Sequence, residues 1–217
     1  MNLIPDSPGS SPNYWCTWST QNFGRQDEHP DFHNYLGEIG SQFARNEMNE
    51  NNLRRWAKQF PKIRGDLYLM LDDGWDVPYG IHPDTHQDLF GTLELDQERS
   101  LSFTGSPAQR LQALNQYLKE QGWKGLGLWV PAGDLKPGPA MEEYWTQRIL
   151  WCKEAGVEYW KVDWGTYSHD ASYRLFLTCL AAKLFPQLIV EHAYCMGPTN
   201  GNGQLDEQTS SDRFADM

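Results

Sequence analysis

The sequence predicts an α/β chain with a parallel sheet, because apolar runs of strand length alternate with amphipathic helices at intervals of roughly thirty residues. The predicted strands, the last of them incomplete, are Asn13–Trp18, Asp66–Leu71, Gly125–Val130, the stretch Glu158–Gly165, Leu188–Val190 and Arg213–Met217. Acidic residues fall at or just after the carboxyl ends of these strands: Asp72, Asp73, Asp163, Glu191 and Asp216. A (β/α)8 barrel gathers such residues around one opening, whereas an open sheet spreads them in a row. The predicted fold is therefore a (β/α)8 barrel of the TIM type, with about six of its eight strands in this chain.

The chain is predicted to hold one catalytic domain. Residues 1–12 are expected to form an N-terminal extension, and residues 13–217 the barrel, which ends near its sixth strand. A closed barrel needs eight strands, so the chain is expected to be a fragment of the catalytic barrel. Open strand edges favour association, which makes a homo-oligomer possible.

Hydrophobic periodicity and capping residues predict the helices. Two helices are expected before Pro61, on the apolar positions Leu36, Ile39 and Phe43, and then Leu53, Trp56, Ala57 and Phe60. Ser106 with Pro107 and Gln109 is typical of a helix start. A further helix is predicted over Pro139–Ala155 with Gly156 as its C-cap, and Asp170 is expected to cap the last one.

The stretch from Asp76 to Gly105 shows no periodicity. A loop of this length inside a compact domain is commonly functional. It directly follows Asp72-Asp73-Gly74-Trp75, so a functional role is favoured here, although Asp72-Asp73-Gly74 is also compatible with a simple tight turn.

Composition excludes several classes of partner. A net charge of −11 without any block of Lys or Arg argues against nucleic acid and anionic membranes. Ten Trp, ten Tyr and nine Phe suit a carbohydrate partner, since aromatic rings bind the apolar faces of sugars, but they suit a core equally well. The four cysteines have no C-x-x-C spacing and are interpreted as free thiols. With no signal peptide and no apolar run of transmembrane length, a cytoplasmic location is expected.

The central strand presents the candidate chemistry. In E-Y-W-K-V-D-W-G, Lys161 and Asp163 are two residues apart, so both side chains point to the same face of the strand. The two residues could also form an ordinary ion pair that closes the strand. Metal-assisted hydrolysis is disfavoured, because the six histidines form neither H-x-H nor H-E-x-x-H. A phosphate-binding G-x-x-x-x-G-K-[ST] loop is also missing. Glycoside cleavage, which needs two carboxyl groups and no metal or other cofactor, fits best.

Four motifs together resemble the α-galactosidase superfamily, the clan that holds glycoside hydrolase families 27 and 36. They are W-x-x-W at Trp15 and Trp18, L-D-D-G-W at Leu71–Trp75, Y-W-K-V-D at Tyr159–Asp163 and F-A-D-M at Phe214–Met217. The resemblance spans Tyr14 to Met217, and the set is more specific than any single motif. It implies a retaining exo-α-glycosidase on a (β/α)8 barrel.

The resemblance also implies roles for individual residues. Asp163 would be the nucleophile and Asp216 the acid/base. The substrate-binding residues would be Trp18, Asp72, Asp73, Trp129, Lys161, Glu191 and Arg213. Among these, Asp72 and Asp73 would bind the outer sugar hydroxyls, and Glu191 would select the substituent at the 2-position, with a free hydroxyl preferred over an acetamido group. Trp15 is predicted to be core.

This sequence departs from the family pattern at a few positions. Asp163-Trp164-Gly165 replaces the expected D-N-C or D-G-C, Pro131 replaces a tyrosine, and Arg213 stands one residue closer to Asp216 than expected. These departures affect the identity of the sugar more than the mechanism. Another α-glycosidase of the clan, such as an α-N-acetylgalactosaminidase or an α-glucan-cleaving enzyme, therefore stays open, as does a non-catalytic carbohydrate-binding remnant.

Overall fold

A five-stranded parallel sheet forms the centre of the protein. The computed structural model describes residues 12–22, 40–81, 88–133, 138–163, 165–168 and 170–193. In chain order the strands are β1 (Asn13–Cys16), β2 (Leu67–Leu71), β3 (Gly80–Ile81), β4 (Asp88–Leu89), β5 (Gly125–Val130), β6 (Tyr159–Val162) and β7 (Ile189–His192). The sheet has the order β1-β2-β5-β6-β7, and β3 with β4 forms a separate antiparallel hairpin.

The order of the strands in the sheet follows their order in the chain. Every neighbouring pair is parallel, and there is no point at which the strand order reverses. The sheet curls into a half-barrel. The predicted α/β class, the parallel sheet and five of the six predicted strands are thus confirmed, whereas the predicted sixth strand at Arg213–Met217 lies outside the described residues.

Helices cover the outer face of this sheet. They are α1 (Trp18–Gln21), α2 (Gly40–Glu47), α3 (Glu50–Trp56), α4 (Pro107–Glu120), α5 (Pro139–Ala155) and α6 (Ala171–Leu184). Three predicted boundaries are confirmed: Ser106 forms a capping box with Gln109, Gly156 ends α5 in the left-handed conformation, and the Asp170 carboxylate accepts from the first turn of α6. Within the described ranges no helix is both long and apolar enough to cross a lipid bilayer.

Several predicted boundaries are wrong. Trp18 begins a helix instead of ending β1, because Thr17 adopts a helical backbone conformation (φ −75°, ψ −12°) directly after the last hydrogen bond of the strand, from its N–H to the carbonyl of Met70. Phe60 lies beyond the end of α3, at φ 50°, and is 38% exposed. The helix α3 begins inside the asparagine-rich stretch 49–52, which was expected to separate the two helices, and Asn49 caps it. The apolar positions Leu36 and Ile39 lie outside the described residues.

The two faces of the sheet bury different side chains. Between the sheet and the helices lies the main core, with Leu69, Leu126, Leu128, Trp160 and Val162 from the strands and Leu111, Leu114, Trp145 and Ile149 from the helices. Trp15 belongs to this side, where it packs against Trp56 and Trp123, so its prediction as core is confirmed.

The concave face holds a smaller cluster of Tyr68, Met70 and Tyr159. Gly127 lies between the last two in the sheet register, and a Cβ there would stand 2.7 Å from Met70 Cε. The missing side chain therefore allows the buried residues of β2 and β6 to meet across β5.

The loop after β2 is fixed by a buried carboxylate. Asp76 Oδ2 accepts hydrogen bonds from the backbone N–H groups of Gly91 and Leu93 at 2.9 Å and from the Thr92 hydroxyl at 3.3 Å. Burial raises the pKa of Asp76 to about 6, against the opposing effect of these donors. One side chain that is 1% exposed thus joins the start of the predicted loop to its middle.

Asp76→Asn tests this anchor through the pH dependence of stability. Because its pKa is raised in the folded state, the stability associated with Asp76 is complete below about pH 4 and falls as the pH rises through about 6. The variant cannot ionise, so its stability relative to the wild type should increase by about 2 kcal/mol between pH 4 and pH 7. Urea unfolding at four pH values measures this. The exposed Asp66→Asn should show a small, constant offset, and a constant offset for Asp76→Asn would contradict the assignment.

Candidate active site

Lys161 joins two carboxylates at the carboxyl edge of the sheet. Its Nζ lies 2.9 Å from Asp72 Oδ2 and 3.2 Å from Asp163 Oδ2. Burial lowers the pKa of Lys161, but the charges of Asp72 and Asp163 outweigh it, and the net effect is a raised pKa. The ammonium ion is therefore the permanent positive charge of what we call the Lys161 centre, which comprises Asp72, Lys161 and Asp163.

The contact between Lys161 and Asp72 depends on the curvature of the sheet. Asp72 follows β2 and Lys161 lies in β6, and both strands flank β5 without touching each other. In a flat sheet these strands would be about 10 Å apart, and their side chains would project in parallel. Curling towards the concave face brings the side chains together, so that the ends of two strands that are not neighbours, β2 and β6, contribute to one centre.

The two oxygens of Asp163 have different environments. Oδ2 forms the 3.2 Å ion pair with Lys161 Nζ and accepts a hydrogen bond from Trp129 Nε1 at 3.1 Å. No group among the described residues donates to Oδ1. The carboxylate, whose side chain is 15% exposed, is thus held by one oxygen while the other is available to a ligand.

Asp72 is an anchored carboxylate. Oδ1 accepts from the N–H of Asp73, and Oδ2 accepts from Lys161 and from the Cys16 thiol at 2.8 Å. Burial and the charge of Asp72 raise the pKa of Cys16 to about 12, so this thiol is a neutral donor. A carboxylate offers about four lone-pair positions, and three of these are occupied by protein donors. Asp72 can accept at most about one further hydrogen bond from a ligand.

Glu191 is next to Lys161 in the register of β6 and β7, on the same concave face. The Tyr14 hydroxyl donates to its Oε1 at 3.2 Å, and the Tyr159 hydroxyl donates to Oε2. Burial and the charge of Glu191 raise the pKa of Tyr14 to about 12, which keeps this phenol a donor. The hydroxyl groups of Tyr14 and Tyr159 therefore fix the position of the Glu191 carboxylate.

Arg174 holds the backbone that carries Asp163. Its side chain is fully buried, with Nη1 bonded to the carbonyl of Val162 and Nη2 to the carbonyl of Asp163, both at 2.9 Å. Its Nε donates to the carbonyl of Ser168 at 2.8 Å. One guanidinium group thus fixes both the end of β6 and the loop that follows.

The same guanidinium sets the state of His192. Arg174 Nη1 lies 3.1 Å from His192 Nδ1, and because an arginine only donates, Nδ1 must accept. His192 Nε2 therefore carries the proton and donates to the Thr178 hydroxyl at 2.9 Å. Burial, and then the charge of Arg174, lower the pKa of His192 to about 3. His192 is thus a neutral structural link between β7 and α6.

Gly165 allows the loops after β5 and β6 to pass closely. It has φ 147°, and a Cβ at this position would lie 2.7 Å from the carbonyl oxygen of Ala132. That oxygen also accepts from the N–H of Tyr167 at 2.9 Å. A residue with a side chain would push the two loops apart.

The structure brings together some of the predicted site residues and not others. Asp72, Trp129, Lys161 and Asp163 share direct contacts, and Glu191 adjoins them in the sheet. Asp73 is 1% exposed, with its N–H on Asp72 and its carbonyl bonded to Gln21. Trp18 is half-buried at the start of α1 and follows β1 at the same edge. Asp216 and Arg213 lie outside the described residues.

Sequence reasoning missed the residues that support the centre. These are Tyr14, Cys16, Tyr159, Arg174 and His192. The alternation of side chains along β1 predicts that Tyr14 and Cys16 share one face of the sheet. It does not predict that they lie near β6 or β7. Arg174 gave a clearer signal. A cation near the first turn of a helix opposes the helix dipole and needs compensating acceptors, which the strand carbonyls provide.

The arrangement limits the possible chemistry. Within the described ranges, no group of three or more His, Cys, Asp or Glu side chains is arranged to hold a metal ion. The Lys161 centre contains two carboxylates and one ammonium ion, so it carries one more negative than positive charge. Such a centre can bind hydroxyl groups and stabilise positive charge that develops on a ligand.

Comparison with known proteins finds no match to a family model, to a curated protein or to a solved structure. The resemblance to the α-galactosidase superfamily therefore remains a prediction from the four motifs.

Lys161→Met tests how strongly the centre depends on its cation. Two carboxylates would then remain without the ammonium ion, so the free energy of unfolding at pH 7 should fall by about 3 kcal/mol. The exposed Lys119→Met should change it by less than about 0.5 kcal/mol. In an Asp72→Asn background, Lys161→Met should cost at least about 1 kcal/mol less, because part of the lost interaction is already absent. If Lys161→Met and Lys119→Met lower the free energy of urea unfolding equally, the ion pairs of the Lys161 centre do not stabilise the protein.

Proposed function

We propose that the protein is a retaining exo-α-glycosidase, most similar in activity to α-galactosidases, which hydrolyses a terminal α-linked sugar by double displacement. The observation that carries the proposal is the asymmetric environment of Asp163. Lys161 and Trp129 hold Oδ2, while Oδ1 has no donor among the described residues. A carboxylate held in this way is suited to attack a carbon atom with its second oxygen.

In the first step, Asp163 Oδ1 would attack the anomeric carbon while the bond to the leaving oxygen breaks. The proton for the leaving group would come from Asp216, a role that rests on the F-A-D-M resemblance alone. In the second step a water molecule, deprotonated by Asp216, would displace Asp163 from the same carbon, which restores the α-configuration and frees the carboxylate.

The charge of the Lys161 centre favours this reaction. Glycoside cleavage passes through a transition state with positive charge on the ring. The additional negative charge of the centre would stabilise it, and Lys161 would hold Asp163 and Asp72 in place without cancelling both charges. The fixed dipoles of Trp129 and of the strand ends add no reorganisation cost.

The proposal includes a barrel of the (β/α)8 type. Parallel strands that follow one another in sheet order, with side chains converging on the concave carboxyl edge, are what such a barrel needs. The acid/base at Asp216 would then follow the next strand after β7, on the side of the opening that faces Asp163.

The preferred sugar is proposed to carry a free 2-hydroxyl group. Glu191 would accept a hydrogen bond from this hydroxyl, and the two tyrosines below it prevent the carboxylate from moving aside for a larger group. An N-acetyl group at the same position would meet a fixed charge next to its methyl.

Asp163→Ala tests the proposed nucleophile. With 4-nitrophenyl α-galactoside as substrate, the variant should lose at least about a thousandfold in kcat, because the covalent step is removed. Added azide should restore turnover and give β-galactosyl azide, since one displacement now replaces two. The exposed Glu154→Ala is the matched control and should retain full activity.

Two results would contradict the assignment of Asp163 as the nucleophile of a retaining enzyme. One is an Asp163→Ala variant within tenfold of the wild-type rate. The other is release of β-galactose as the first product of the intact protein, which NMR detects before mutarotation. No turnover of any aryl α-glycoside in a panel of sugars would overturn the enzymatic proposal as a whole.

A further inference from the structure

A cavity of about 310 Å³ lies away from the Lys161 centre, between the loop after β2, the segment after β5 and helix α5. Its lining is mostly aromatic and apolar, with one charged side chain: Tyr79, Phe90, Gly91, Thr92, Pro131, Gly133, Tyr144, Trp145 and Arg148. None of the three residues of the Lys161 centre lines it. This size and lining are typical of sites for a small molecule with one ring.

The charged residue, Arg148, is 8% exposed and has only neutral acceptors. Nε donates to the carbonyl of Thr92 at 3.2 Å, and Nη1 donates to Gln147 Oε1 at 2.7 Å and to the carbonyl of Tyr144 at 3.4 Å. Its Cζ lies 3.5 Å from the centroid of the Tyr144 ring and 4.7 Å from the centroid of the Trp151 ring. No carboxylate in the described part of the chain pairs with it, and Nη2 donates to none of these residues.

Arg110 shows what such a residue ordinarily needs. It is also 8% exposed, but it forms a 3.0 Å salt bridge with Glu94 and donates to the carbonyl of Leu95. Buried cations are usually paired with an anion, because removal from water is costly. Arg148 differs from Arg110 in having a cavity where the anion would be.

The cavity wall is held in place from two sides. The N–H groups of Gly91 and Leu93 donate to Asp76, whereas the carbonyls of Gly91 and Thr92 accept from the Tyr144 hydroxyl and from Arg148. The nearby acids are therefore already engaged, Asp76 by this loop and Glu94 by Arg110. Neither forms a salt bridge with Arg148.

We propose that this cavity is a binding site for a small ring that carries a carboxylate. The carboxylate would bind the Nη2 side of Arg148, and the flat face of the ring would pack against Tyr144, Pro131 and Tyr79. Tyr79 is 46% exposed and stands where a ligand would enter. Both an aromatic acid and a sugar acid present this chemistry. The site is independent of the proposed glycosidase reaction.

Isothermal titration of the full chain with benzoate and with the neutral benzamide tests the charge requirement without any variant. Benzoate should bind at least about tenfold more tightly, because a charge-assisted hydrogen bond to the guanidinium is lost with the amide. The pair D-galacturonate and D-galactose makes the same comparison for a sugar ring. Binding of benzoate alone would identify an aromatic acid as the ligand class, and binding of galacturonate alone a sugar acid.

Variants then locate the site. Arg148→Met keeps the apolar stem and should abolish binding of the acid that the wild type binds, while Arg148→Lys should weaken it by about three- to tenfold through loss of the planar fork. Tyr79→Ala, at a largely exposed position, should weaken it at least threefold. Arg54→Met is the matched control, because Arg54 also lies over aromatic rings but is outside the cavity, and it should leave the affinity within twofold.

Equal binding of acid and amide, no binding of either acid, or unchanged affinity in both Arg148→Met and Tyr79→Ala would each overturn the proposal. If Arg148→Met fails to fold, the wild-type comparison and Tyr79→Ala still decide it.

Discussion

The ion pair between Lys161 and Asp72 connects two strands that do not touch. Their side chains meet because the sheet curls, and the curl in turn depends on what the concave face can hold. Gly127 leaves room for Met70 beside Tyr159, so the layer below the ion pair closes without a gap. Above it, Lys161 extends from Asp72 to Asp163 and draws the ends of β2 and β6 together. The packing of Met70 beside Tyr159 and the ion pairs of Lys161 therefore favour the same curvature of the sheet.

Local signals made much of the fold predictable. Capping residues fixed the ends of α4, α5 and α6, because a cap satisfies backbone groups within a few residues of itself. Trp18 was placed in a strand because its aromatic neighbours suit one. The chain instead leaves the strand conformation at Thr17, whose hydroxyl accepts from the N–H of Asp72, a residue distant in the chain, and donates to Gln21. Likewise Phe60 continued the helical period but lies beyond the end of the helix.

The candidate site was predictable only in part. Strand alternation placed Lys161 and Asp163 on one face, and the pair is observed. The alternative interpretation was an ordinary ion pair that closes the strand. It does not account for the third partner, Asp72. That contact and the Arg174 support behind Asp163 depend on the curvature and on helix placement, which no short stretch of sequence encodes.

The carboxyl end of β5 separates two sites of opposite charge. Trp129 donates to Asp163 on the concave side, where negative charge is in excess, and two residues later Pro131 lines the cavity of Arg148. Trp75 ties the two regions together by donating to the carbonyl of Trp129 at 2.9 Å. The proposed cationic transition state and the proposed anionic ligand would thus lie on either side of one strand end.

The central claim is that Asp163 forms a covalent bond to the sugar. The most direct test is to incubate the protein with a galactose-configured cyclophellitol aziridine, which esterifies the nucleophile of retaining α-galactosidases, and to map the labelled peptide by mass spectrometry. The account predicts a single adduct on Asp163, blocked by excess galactose. Labelling of a different carboxylate, or no labelling of a folded protein, would contradict it.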